Sequence, residues 1–401
     1  MPLSLSRLPG LRITCCSGAG AEVFTERMRL LFVSEYYPPH VGGVEVVFKN
    51  LAELLAKAGH ECHVITSGLP NTRRYEEING VRIHRVNVPK KGTRYWFTFL
   101  SIPAVIARAR QVDLIQTTTF NAAFPAWLAS KLLRKKCVIT VHEVWGKMWS
   151  NLLGMNWLWA TLHRFLEKAI VCLPFDRVIC VSEYTRRSLE ALTGKNQRAE
   201  VIYNGIDTDL FTPRQGDDTA RKRFKLAKGT FVYLYYGRPG LSKGVEYLVS
   251  AVPLISQRIP DSKLVLILTN EPRDRYESIK KLIKDLNIEG KVMLLDPLPR
   301  SELPDYIAAS DCVVIPSLSE GFGFSAAEAC AMEKPVVASN VASLPEVVSG
   351  KYVLVEPGNP KAIAEGIEKV YKGETENSQK KIFSWEECAS RYLKVYQELA
   401  N

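Results

Sequence analysis

The chain lacks any run of the roughly 18–20 apolar residues that a helix needs to cross a bilayer. Its longest apolar stretch, Tyr95 to Ala107, is closed off by Arg94 and Arg108 and reads as a core or interfacial helix. It also lacks paired cysteines. Nine are scattered over 401 residues, only Cys15 and Cys16 are close neighbours, and there is no C-x-x-C pair and no zinc spacing. That argues against a disulfide framework and indicates reduced thiols in a cytosolic protein. His40, His60, His63, His84 and His163 form no ligand cluster, so no structural or catalytic metal is expected. No G-x-G-x-x-G follows the first strand; Pro38-Pro39-His40-Val41-Gly42-Gly43 stands there, which counts against a dehydrogenase. Internal repeats and low-complexity tracts are missing as well.

What is present is the composition of an ordinary globular protein, long enough that two domains are expected. The net charge of +11 is uneven. Residues 28–210 carry 24 Lys and Arg against 15 Asp and Glu, whereas residues 211–401 carry 26 against 25. A basic first half suits an anionic partner such as a phospholipid surface or a lipid phosphate, and equally suits a solvated face with no partner. Residues 1–27 show neither helical nor strand periodicity and no signal-peptide core. They are expected to be a disordered leader or a misassigned start, with translation beginning at Met28.

From Met28 onward, apolar strand-like runs alternate with helical patterns. Leu30–Val33, His63–Thr66, Val81–Val86, Leu114–Gln116, Cys137–Val141 and Val178–Val181 form a first set. Phe231–Tyr236, Lys263–Leu268, Val292–Leu295, Val313–Ile315, Val336–Ala338 and Tyr352–Val355 form a second. This rhythm predicts two α/β, doubly wound, Rossmann-like domains facing across a cleft. The expected boundaries are 28–205 for the first domain, 206–382 for the second, and 383–401 for an amphipathic C-terminal helix. Ligands of such folds bind outside the carboxyl ends of the strands, and the glycine turns of this chain lie there.

The most informative stretch is Glu320-Gly321-Phe322-Gly323-Phe324-Ser325-Ala326-Ala327-Glu328. It follows the buried run Cys312–Ile315 and places one carboxylate in a glycine turn and the other on the next helix. A helix N-terminus with glycines beside it can hold an anion, while carboxylates accept hydrogen bonds from sugar hydroxyls. A nucleotide-sugar fits that layout. Arg238 and Lys243, in Gly237-Arg238-Pro239-Gly240-Leu241-Ser242-Lys243-Gly244, suit a diphosphate leaving group. Gly42 and Gly43 can direct N–H groups at the same diphosphate from the opposing domain. His142 ends a strand at the cleft, and Glu143 reads as a residue that solvates the loop end.

These motifs resemble retaining family 4 glycosyltransferases of the GT-B fold, over nearly everything from Met28 onward. The residues that carry the resemblance include Gly42-Gly43-Val44-Glu45, Val141-His142-Glu143, Asn204-Gly205-Ile206-Asp207, Arg238 with Lys243, the Glu320/Glu328 pair and Pro345-Glu346-Val347-Val348. The resemblance implies a donor site of Gly42, Gly43, Arg238, Lys243, Glu320, Gly321, Phe322, Gly323, Phe324, Ser325 and Glu328. It implies catalytic roles for His142, Arg238, Lys243 and Glu320, with Glu328 on the ribose, and a C-terminal helix over 383–401 that crosses back to the first domain. It further implies no cofactor and no metal, a UDP- or GDP-sugar donor, and a hexosyl transfer to a glycan or lipid-linked acceptor. Thr269-Asn270-Glu271-Pro272 and Ala342-Ser343-Leu344 depart from the family's usual glycine pairs. The expected setting is cytoplasmic, peripheral to the inner face of a membrane, with no nucleic-acid partner. A GT-B sugar-nucleotide epimerase and a non-catalytic nucleotide-sugar binder are the alternative readings. Trp96, Phe97, Phe99, Trp145, Trp149, Trp157 and Trp159 suit a membrane interface, though ordinary helix packing is the simpler expectation for most of these rings.

Overall fold

The computed structural model describes residues 27–400 except 41, 90–91, 147, 152–155, 195–198, 215–220, 223, 225 and 228. The expectation for the 1–27 leader therefore falls almost wholly outside the described residues.

The first sheet is built from β1 (Arg29–Val33), β2 (Glu61–Ser67), β3 (Tyr75–Ile78), β4 (Val81–Val86), β5 (Leu114–Thr118), β6 (Lys136–Val141), β7 (Arg177–Cys180) and β8 (Ala199–Val201). Their order is β3-β4-β2-β1-β5-β6-β7-β8. The second comprises β9 (Phe231–Gly237), β10 (Ser262–Leu268), β11 (Val292–Leu295), β12 (Cys312–Ile315), β13 (Val336–Ser339), β14 (Gly350–Val355) and β15 (Glu376–Ser378). Its order is β11-β10-β9-β12-β13-β14-β15. The edge pairs β3·β4 and β14·β15 are antiparallel, and the other pairings among these strands are parallel. Leu30, Leu31, Phe32 and Val33 are all buried, as a parallel strand covered on both faces requires. The two-sheet, doubly wound expectation holds. The strands the sequence did not reveal are β3, β8 and β15, which are short, polar edges without a legible period.

Strand order reverses at β1, between β2 and β5, and at β9, between β10 and β12. Both reversals open a crevice at the carboxyl ends. Into it run the turn before helix α1 (Gly43–Lys57), the loop after β6, the loop after β9 and the turn after β12.

The Tyr95–Ala107 stretch is two helices, not one. α2 (Thr93–Leu100) ends at Ser101, and α3 (Ile102–Ala109) carries Pro103 in its first turn, where a missing N–H costs nothing. The packing expectation for the aromatics also needs correction. Phe97 is buried, but Trp96, Phe99, Trp157 and Trp159 are exposed. Trp157 and Trp159 lie on α4 (Trp157–Val171). No helix among the described residues is long and apolar enough to cross a membrane.

The last helix, α5 (Trp385–Ala400), packs on the first sheet. Trp385, Cys388, Tyr392, Val395 and Tyr396 join a core with Leu30, Phe32, Val138 and Ile179. Tyr392 Oη lies 2.9 Å from Thr140 Oγ1, and the Tyr396 hydroxyl donates to Gln116 Oε1 at 2.9 Å. The second bond satisfies a glutamine buried in mid-strand, which would otherwise be costly. At the crossing, a side chain on Gly205 would collide with the backbone of Trp385.

Candidate active site

The loop after β9 and the turn after β12 lie side by side because Leu318 N–H donates to the Ser242 carbonyl at 2.7 Å. Gly244 has φ +61°, and a Cβ there would strike the Pro316 carbonyl, so glycine alone permits that approach. The result joins two of the expected residues directly. Lys243 Nζ donates to Glu320 Oε1 at 2.6 Å, and Ser317 Oγ donates to the same oxygen at 3.0 Å. Ser343 Oγ holds the Glu320 carbonyl at 3.0 Å. Arg238 is exposed at the start of the same loop.

Burial alone would raise the Glu45 carboxyl, but the contact with His40, Nδ1 to Oε1 at 2.9 Å, and the charge of Arg238 hold it below its ordinary value. Glu45 sits in the first turn of α1, whose N-cap is Gly42 in an extended conformation. A Cβ at Gly42 would crowd the Glu45 carboxylate, and Gly43 faces the ring of Phe324 from the second domain.

His142 and Glu143 leave β6 into the cleft. Burial pushes the His142 imidazole down to about 4, so it is neutral near pH 7. Its Nε2 is buried and has no hydrogen-bond partner among the described residues. Glu143 does not solvate a loop end. Burial lifts its carboxyl above the ordinary value, and Ser319 Oγ of the second domain donates to it at 2.5 Å. Gly321 completes the closure: a Cβ there would collide with the His142 carbonyl oxygen. Its lack of a side chain thus answers to the opposing backbone.

Glu328 lies one turn into the helix Phe324–Ala331 and is buried. Arg300 donates to its Oε1 at 2.6 Å, and the Tyr236 hydroxyl lies 3.2 Å from Oε2. Burial nonetheless lifts this carboxyl above its ordinary value. Phe322 points its ring into an aromatic cluster with Tyr203 and Phe383. Gly323 caps the helix with φ +92°, and the Ser325 carbonyl lies 3.0 Å from the Tyr236 hydroxyl.

The structure therefore brings together Lys243 with Glu320, and His142 with Gly321 across the gap. Glu328 stands apart with Arg300 on the β11 side. Glu45, Arg300, Ser317 and Ser319 had no role from sequence. Glu45 lay inside a quoted motif, while Arg300 had no local signal. Glu346 of the Pro-Glu-Val-Val motif proves to be a clasp. Its carboxylate accepts from Glu183 N at 2.8 Å and Tyr184 N at 2.6 Å, at the start of the first-domain helix Glu183–Thr193. Among the described residues no three His, Cys, Asp or Glu converge as metal ligands. A cavity of about 570 Å³ opens elsewhere, at the hinge between Lys57, Asp207 and Trp385. It carries neither Arg238 nor Lys243, so the candidate site is marked by convergent charge rather than by concavity.

Residues 41–210 match the profile of Glycosyltransferase Family 4, and residues 216–383 match Glycosyl transferases group 1. An uncharacterized glycosyltransferase of Methanocaldococcus jannaschii is 30% identical over 93% of this chain and 99% of its own. The D-inositol 3-phosphate glycosyltransferase of Corynebacterium urealyticum is 26% identical over 93% of this chain and 96% of its own. One subunit of the human phosphatidylinositol N-acetylglucosaminyltransferase is 23% identical over 99% of this chain and 80% of its own. Among solved structures, sucrose-phosphate synthase from Thermosynechococcus elongatus superposes with a TM-score of 0.77 at 23% identity, over 93% of this chain and 99% of that one. The Anabaena protein HepE in complex with UDP-glucose gives 0.72 at 19% identity, over 93% and 100%. With its two facing sheets and this shared sequence, the chain belongs to the family 4 glycosyltransferases and has the GT-B fold.

Proposed function

We propose that this glycosyltransferase moves a hexosyl unit from a UDP- or GDP-sugar to a hydroxyl of a lipid-linked glycan or phospholipid. Transfer retains the anomeric configuration and uses no metal. The observation that carries this reading is the Lys243–Glu320–Ser317 cluster, with the His142 carbonyl of the opposing domain packed against Gly321 of the same turn. Lys243, Arg238 and the N-terminus of α1 supply positive charge for the departing diphosphate. Glu320 and His142 hold the sugar hydroxyls, and Glu328 holds the ribose. The C1–O bond to the diphosphate breaks while the acceptor oxygen bonds C1 on the same face. The acceptor proton passes to the departing phosphate oxygen, so no carboxylate nucleophile is required. Two relatives whose names carry inositol support a lipid or polyol acceptor, and the UDP-glucose held by a protein of the same fold supports a nucleotide-sugar. The basic first domain favours work at an anionic membrane surface on the cytoplasmic side.

Thermal shift with UDP-, GDP- and ADP-sugars tests the donor. A ligand at about 100 times its Kd stabilises by about 2.7 kcal/mol, and the donor assignment fails if none of the three raises Tm. Transfer to a lipid extract, with product anomers read by NMR and EDTA present, tests the rest. An inverted product or loss of activity with chelator overturns the corresponding step.

A further inference from the structure

Helix α4 is built inside out. Trp157, Leu158, Trp159, Leu162, Phe165 and Leu166 are exposed, Trp157 at 76% and Phe165 at 67%, while its one acidic residue, Glu167, is buried. Helix α2 adds Trp96 and Phe99 to the same surface, joined to α4 by Tyr95 Oη lying 3.3 Å from His163 Nε2. An apolar patch of this extent marks an interaction surface.

The inward face of α4 explains why it holds this orientation. Glu167 accepts from Trp145 N at 2.7 Å, Gly146 N at 2.8 Å and Trp149 Nε1 at 3.1 Å. Those groups belong to the segment that follows His142 and Glu143 out of β6. Thr98 Oγ1 of α2 likewise donates to the Asn121 carbonyl at 3.1 Å, just after β5. The patch is thus bolted to two loops at the carboxyl edge of the first sheet, beside the acceptor side of the cleft.

Charge selects the occupant. In the sequence from 89 to 112 the only charged residues are Lys90, Lys91, Arg94, Arg108 and Arg110, and from 144 to 171 they are Lys147, Arg164, Lys168 and the buried Glu167. Arg164 and Lys168 are exposed on α4 itself. A second copy of this chain would set cation against cation across a two-fold axis, which repels. An anionic bilayer offers acyl chains to the rings and phosphates to the cations.

We infer that α2 and α4 together form the surface by which the enzyme docks on an anionic phospholipid bilayer, with the rings entering the headgroup–acyl boundary and the cleft mouth held beside the lipid. The inference rests on the lipid-borne acceptor of the reading above.

The test uses the full chain with vesicles of phosphatidylcholine alone and of phosphatidylcholine with phosphatidylglycerol. Sedimentation with the anionic vesicles only, and quenching of tryptophan emission by brominated acyl chains, is the expected result. The Trp157→Ser/Phe165→Ser and Trp96→Ser/Phe99→Ser variants, checked for native circular dichroism, partition at least ~10-fold more weakly, since each forfeits the burial of two large rings. Nucleoside-diphosphate binding is unchanged in both variants, which separates docking from the donor site. Vesicle binding without transfer to any lipid overturns the acceptor assignment and supports this surface. Absence of vesicle binding, binding equal in the variants, or a lipid-free dimer that the variants convert to monomer overturns it.

Discussion

Glu320→Gln and Lys243→Ala act in opposite directions on diphosphate binding. Lys243 is engaged by Glu320, at 2.6 Å, with the lysine side chain 30% exposed and the glutamate 14%. A nucleoside diphosphate entering the site must share that ammonium group and tolerate the carboxylate beside it. Two unit charges about 6 Å apart interact by roughly 3 kcal/mol at an effective dielectric near 20, and partial exposure reduces this to about 1 kcal/mol. Glu320→Gln removes that repulsion and leaves Lys243 to the ligand, so UDP or GDP binds about 5-fold tighter. Transfer nonetheless falls, by ~10- to 100-fold, because the sugar loses a charged hydrogen-bond acceptor. Lys243→Ala loses the cation and leaves Glu320 unopposed. Diphosphate affinity then drops at least ~30-fold and turnover ~10²- to 10³-fold, as when a preorganised donor is removed from an oxyanion site. Isothermal titration with the nucleoside diphosphate and single-turnover transfer separate the two effects. If Glu320→Gln weakens diphosphate binding as much as Lys243→Ala does, the pair is a structural bridge and neither residue has the role assigned to it.

The remaining tests address closure, clasp and protonation. Gly321→Ala drives a methyl into the His142 carbonyl. Two backbones must part, so it costs about 1–3 kcal/mol of stability and most of the activity; equal Tm and kcat would show that the domains do not close this way. Glu346→Ala strips two backbone N–H groups of their acceptor and lowers unfolding free energy by about 2 kcal/mol in urea. Glu346→Gln recovers part of that, because its amide oxygen still accepts. His142 is held at about 4 by burial, against about 6.5 in the unfolded chain. Between those pH values the unfolded chain binds a proton that the native state does not, so stability falls as pH drops from about 6.5 to 4, by of order 3 kcal/mol from this group. His142→Gln makes that acid limb shallower in pH-resolved denaturation. His84, also pushed down to about 4 by burial and by Arg108, keeps part of it. An unchanged limb would mean that His142 is solvated.

Much of the candidate site was legible because its residues stand in local motifs. Lys243 and Glu320 each lie a few residues past a strand within a glycine turn, so a linear pattern carried both. Glu328 was legible as a helical carboxylate, but its partner Arg300 was not. That pair forms only because β11 and β12 lie in one sheet with β10 and β9 between them. Glu143 shows the converse failure. Between His142 and a loop it reads as solvent-facing, whereas Ser319 arrives from the other domain to hold its carboxylate.

The sequence by itself determined the two doubly wound sheets, the positions of the cationic loop and the carboxylate turn, and the family. Each of these rests on periodicity or spacing within some tens of residues. Tertiary structure alone decided which glycines serve a neighbouring backbone, which aromatics face water, and which carboxylates are paired. Those depend on what a distant segment places nearby, and burial and charge are properties of the assembled surroundings.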